Sequence, residues 1–135
     1  MKIRDYARDY FLNRDFNCAE SVLLAASDYY SLGIGPDDLK LLSAFGAGMQ
    51  CEQLCGALSA CFAVLGRLYV EDRAHVSPRL KELGAQFYQD FQNKAGSVLC
   101  KDLKPIYRKE DTRCLDLILL ASDLLEDFVQ DHPVQ

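Results

Sequence analysis

The stretch Gly46–Glu71, GAGMQCEQLCGALSACFAVLGRLYVE, decides the reading of the chain. Gly46 and Gly48 break whatever precedes them, and Met49 to about Glu71 is then apolar enough and long enough to be a largely buried central helix. Gly56, Ser59, Ala60, Ala63 and Gly66 recur three or four residues apart, a small-residue face that lets a second helix approach closely.

Helical spacing continues on both sides. Ile3, Tyr6, Ala7, Tyr10 and Phe11 give a short amphipathic helix at the start. Asn17 with Glu20 three residues on reads as a capping box that opens a helix to about Tyr30, with Phe16 placed to staple onto it. Gly33 and Gly35 end it, and Pro36 with Asp37 and Asp38 opens a short helix through Phe45. After the central segment, Ser77-Pro78 starts a helix with Leu80, Leu83, Phe87 and Phe91 inward, ending near Gly96. Ser97 to Leu103 reads as a turn before Pro105, and a last helix from about Thr112 to Val129 carries Leu115, Ile118, Leu119, Ser122 and Leu125 at core spacing. No convincing strand alternation, internal repeat or low-complexity tract interrupts this pattern. The expectation is an all-α, single-domain bundle of about six helices spanning residues 1–135.

At 135 residues and 50% hydrophobic content, the chain has enough apolar surface for one core. The first residues are charged throughout, unlike a signal peptide, and no apolar run reaches the roughly 18 residues that span a bilayer. A cytoplasmic protein with no membrane span is expected. The net charge of −5 and the sequence pI near 4.9 oppose a nucleic-acid partner.

Six cysteines are the chemically loaded residues. In a reducing compartment cysteines more often bind metal or do redox chemistry than staple a fold. Cys18, Cys55, Cys100 and Cys114 each stand at a predicted helix start or beside a helix-breaking glycine, where partial positive charge and unpaired N–H groups stabilise a thiolate. Lys101 and Arg113 adjoin two of them and push in the same direction. Packing alone accounts equally well for any single one, since free cysteine is a common core residue. No pair is spaced C-x-x-C, which removes the thioredoxin motif, zinc knuckles and C-x-x-C-H haem attachment. His75 and His132 read as surface residues. On one continuous helix Cys51 and Cys55 lie about 40° and about 6 Å apart and can share a site, whereas Cys61 lies about 120° around from Cys55 and reads as a buried hydrophobe. For Cys18, the helix end is expected to outweigh burial and depress the thiol pKa.

Asn17-Cys18-Ala19-Glu20, then Gly46-Ala47-Gly48-Met49 before Cys55-Gly56-Ala57-Leu58-Ser59, then Cys100 and Cys114, together resemble the C_GCAxxG_C_C family of redox-active proteins over nearly the whole chain. One departure is Ala60, where the C-G-A-x-x-G motif ends in glycine. The resemblance implies an all-helical redox or cofactor-binding domain, related to one found in some cytochromes, with Cys18, Cys55, Cys100 and Cys114 as its working thiols. Cys51 substitutes for or supplements Cys55, and Gly56, Lys101 and Arg113 are the expected cofactor-binding neighbours. An iron-sulfur cluster, zinc, or thiol–disulfide cycling would each use these thiols, with an unidentified redox partner and no covalent haem. The alternative is a non-catalytic module that binds zinc or forms a homodimer through the Gly56, Ala60, Ala63 face.

Overall fold

A computed structural model describes residues 1–134. Its centre is helix α4 (Gly56–Tyr69), whose Leu58, Ala60, Cys61, Val64 and Leu65 are fully buried. Complete burial of each leucine or valine is worth about 1.5–3 kcal/mol, so α4 anchors the bundle. Around it pack α1 (Ile3–Asn13), α2 (Cys18–Tyr30), α3 (Pro36–Ser43), α5 (Pro78–Ala95), α6 (Cys100–Tyr107) and α7 (Leu115–Asp131). The main packing partners of α4 are α2, α5 and α7, while α1 closes against α2 and α7. Among the described residues there is no β-strand, and no helix is long and apolar enough to cross a membrane.

The inward residues follow the sequence periodicity closely. Ile3, Ala7 and Phe11 are buried on α1; Leu83, Phe87 and Phe91 on α5; Leu115, Ile118, Leu119, Ser122 and Leu125 on α7. The buried Ser122 hydroxyl is satisfied by donating to Ile118 O at 2.8 Å. On the small-residue face of α4, Gly56 and Ala60 are buried inside the chain, while Ser59, Ala63 and Gly66 are half-buried.

Two segments depart from expectation. The first is α6, a seventh helix where a turn is predicted; Pro105 sits inside it, near its C-terminal end. There its ring deprives only the Lys101 carbonyl of an amide partner, and Lys101 is an exposed residue. The second is the start of the central helix. Residues Ala47, Gly48, Met49 and Gln50 are consecutively left-handed, with φ of 52°, 62°, 62° and 62°, and Glu52 is again left-handed at 61°. Met, Gln and Glu are good right-handed helix formers, yet α4 begins only at Gly56. Each non-glycine residue held in this region costs about 1–2 kcal/mol, so the tertiary structure overrides local preference here by several kcal/mol. Strain of this size persists only where surrounding contacts impose it, typically at functional sites.

Ala47→Gly should stabilise the metal-free protein, because relief of about 1–2 kcal/mol of left-handed strain exceeds the roughly 0.5–1 kcal/mol of extra unfolded-state entropy. Urea denaturation should show a higher midpoint with an unchanged slope. A lower midpoint would show that the turn is not strained at Ala47.

Candidate functional site

Four helix starts meet at one place. Asn17 caps α2 reciprocally with Glu20: Glu20 N–H donates to Asn17 Oδ1 at 2.9 Å, and Asn17 N–H donates to Glu20 Oε1 at 3.0 Å. The same two side chains reach α3, since Asn17 Nδ2 donates to Ser43 O at 2.9 Å and Ser43 Oγ donates to Glu20 Oε2 at 2.6 Å. Cys18, the next residue, is thereby fixed at the first position of α2. Residues 53–55 and 98–100 are clamped by an antiparallel bridge in which Cys55 N–H donates to Val98 O at 2.8 Å and Cys100 N–H donates to Gln53 O at 2.6 Å. That bridge sets Cys55 at the N-cap of α4 and Cys100 at the first residue of α6. Cys114 is the N-cap of α7 and follows a tight Lys109–Arg113 turn, where Arg113 is left-handed at φ 56°.

These four residues line one cavity of about 190 Å³, together with Phe11, Asn17, Ala47, Gly48, Gly56, Leu103, Lys104, Arg108, Arg113 and Leu117. All six cysteines of the chain are free thiols. Gly56 belongs there for steric reasons: a Cβ at that position would stand 2.5 Å from Phe45 O and 2.8 Å from Cys18 Sγ. At Gly48 a Cβ would stand 2.6 Å from Cys100 Cβ. The glycines thus let backbone close directly on the sulfur-bearing side chains. Ala60, by contrast, is a core residue outside the lining, so its methyl group fits packing without touching the cavity.

Of the expected neighbours of the four thiols, Gly56 and Arg113 line the cavity, and Lys101 and Cys51 do not. Arg113 does line the cavity; its Nη2 donates to Phe11 O at 3.1 Å and its guanidinium carbon lies 4.3 Å from the Phe11 ring centroid. Lys101 does not: as the neighbour of Cys100 on a helix it points about 100° away, into solvent. Lys104, one turn on from Cys100 and on its face, takes the expected place, paired with Glu52 at 3.6 Å. Cys51 is exposed and outside the lining, because the left-handed turn replaces the helical register that would have aligned it with Cys55. Cys61 is fully buried and directed at Ala121 O, as its angular position on α4 requires. The spacing of Lys104, four residues after Cys100, would have found it; Phe11 and Arg108 carry no comparable signal.

Burial governs three of the cavity thiols. It pushes Cys55 up to about 12, against donation from the backbone N–H groups of Leu58 and Ala57, and pushes Cys18 and Cys100 up as well. At Cys18 burial outweighs the opposing N–H groups of Ala47 and Ala19, so the helix end does not win and the free thiol is held protonated. The lining carries three cations, Lys104, Arg108 and Arg113, and no carboxylate, in a chain of net charge −5. The donor set is soft, four thiols without imidazole, which suits iron or zinc rather than a hard cation. Among the described residues no three Cys, His, Asp or Glu side chains form a group placed to hold a metal ion.

A folded-state thiol pKa above the unfolded value means that the folded form binds the extra proton, so stability is full below the unfolded pKa and is lost as pH rises through the folded one. The reduced, metal-free protein should therefore lose stability from about pH 9 upward, with Cys55 contributing up to about 12. Cys55→Ser should flatten that decline in denaturation midpoints measured across pH. An equally steep decline in the variant would remove Cys55 as its source.

Comparison with curated proteins returns no match, and comparison with solved structures returns none. Residues 16–128, a span that contains all four cavity cysteines, match the family described as "Putative redox-active protein (C_GCAxxG_C_C)". On that match over most of its length, the chain belongs to the C_GCAxxG_C_C family.

Proposed function

We propose that Cys18, Cys55, Cys100 and Cys114 hold an iron-sulfur cluster and that the protein serves in electron transfer. The observation that carries this reading is the placement of four thiols, each from a different helix start, around one cavity of about 190 Å³. A single zinc ion binds each sulfur at about 2.3 Å and so asks for thiols in near contact. Thiols set around a space of this size are better matched to a polynuclear centre.

The rest of the lining supports the same reading. When bound, a cluster ligated by four thiolates supplies a one-electron redox centre of net negative charge. Lys104, Arg108 and Arg113 and the N-terminal ends of α2, α4, α6 and α7 offset that charge. Backbone N–H groups of Ala47 and Ala19 directed at Cys18, and of Ala57 and Leu58 at Cys55, withdraw electron density from the sulfurs. Leu103, Leu117 and Phe11 keep water from the inner wall. Because burial keeps Cys18, Cys55 and Cys100 protonated, metal binding releases protons, and affinity rises with pH. The same burial leaves little thiolate for attack on a disulfide, which disfavours stepwise thiol exchange.

Protein purified without oxygen should be brown and contain iron and acid-labile sulfide. Cys55→Ala should abolish both. Cys51→Ala and Cys61→Ala should retain them, with Cys61→Ala lowering stability by about 1 kcal/mol through a small core void. Iron retained in Cys55→Ala, or lost equally in Cys61→Ala, would place the centre elsewhere.

A further inference from the structure

Helix α6 has two working faces. Cys100, Leu103 and Lys104 turn toward the cavity, and Arg108, just past the helix end, completes that wall. Lys101, Lys104 and Arg108 follow at i, i+3 and i+7, which confines them to a stripe about 60° wide along the helix, with the exposed Pro105 beside it. Lys104 and Arg108 belong to both faces, so the stripe is the rim of the cavity itself. Lys101 and Arg108 are exposed, and among the described residues neither is in an ion pair. The Lys104 side chain, 30% exposed, is partly neutralised by Glu52, and Lys109 by Asp116 at 2.7 Å. Cys100 is half-buried behind this rim, whereas Cys55 is 3% exposed.

The geometry points to the α6 stripe as the docking face for an acidic electron-carrier protein, placed where such a partner comes nearest to Cys100. This rests on the electron-transfer reading above. A solvated lysine stripe is ordinarily only a soluble surface, but here it is cationic on an acidic protein and forms the rim of the four-cysteine cavity. The chain's net charge of −5 repels an acidic partner at long range. That repulsion is screened beyond about 8 Å at physiological ionic strength, so local complementarity decides the orientation at contact. Acidic groups flank the stripe: Asp102, held by Ser97, lies about 100° around the helix from Lys101, and Glu110 follows Arg108. They bound the cationic face and fix the register of a partner.

The test uses an acidic single-cluster ferredoxin as probe and a basic cytochrome c as control, with binding followed by isothermal titration at several salt concentrations. Binding of the ferredoxin should weaken as salt rises. Lys101→Glu combined with Arg108→Glu should weaken it by about tenfold or more, while Lys81→Glu, a charge reversal on α5, should leave it nearly unchanged. Circular dichroism confirms that each variant is folded. Salt-independent association, an equal effect of Lys81→Glu, or preferential binding of the basic cytochrome would overturn the docking face. Iron and sulfide analysis of the titrated protein separates the two readings: docking by protein that takes up no iron leaves the face and removes the cluster, and iron uptake without docking does the reverse.

Discussion

Everything at the cavity depends on four helix starts being forced together, each carrying a cysteine in its first turn or at its cap. The forcing elements are identifiable. The Asn17–Glu20–Ser43 network ties the start of α2 to the end of α3, and the bridge between residues 53–55 and 98–100 ties α4 to α6. Arg113 stacked on Phe11 ties the approach to α7 onto α1. The glycines at positions 48 and 56 allow the final approach, since side chains there would collide with Cys100 and with Cys18. The left-handed run Ala47–Gln50 lies against the same thiols, and its Ala47 N–H opposes the effect of burial on Cys18.

Two electrostatic effects compete within the site. Helix ends and nearby cations favour a charged sulfur, while the apolar wall of Leu103, Leu117 and Phe11 disfavours it. In the metal-free protein burial prevails at Cys18, Cys55 and Cys100. Such a site is unreactive until something displaces the protons, and the positive elements that cannot ionise a buried thiol alone can still stabilise an anionic centre. Protonated thiols in a cationic, carboxylate-free cavity are thus a consistent combination rather than a contradiction.

Much of this was legible in the residues. Periodicity placed the inward faces of α1, α5 and α7, and the Asn17–Glu20 spacing announced a capping box that the structure contains. The four cysteines were singled out by their positions at helix starts, and the cavity collects all four. Cys51 and Lys101 were misplaced for one physical reason, that side-chain direction depends on local backbone; the Cys18 thiol was misjudged because burial outweighs the helix end. Met49 to Leu54 reads as helix by propensity, but Met49, Gln50 and Glu52 are left-handed in the folded chain, which carries Cys51 away from the site. Lys101 is adjacent to Cys100 in sequence but not in direction, and Lys104 is the reverse. The short α6, with a proline inside, lacks the length that makes a helix visible to pattern alone.

The most direct test of the central claim is anomalous diffraction at the iron absorption edge from crystals grown without oxygen. The account predicts one region of anomalous density enclosed by Cys18, Cys55, Cys100 and Cys114, bonded to all four sulfurs and bordered by Lys104 and Arg113. Iron density away from these residues, or a cavity free of iron in which two of the sulfurs are joined as a disulfide, would contradict it.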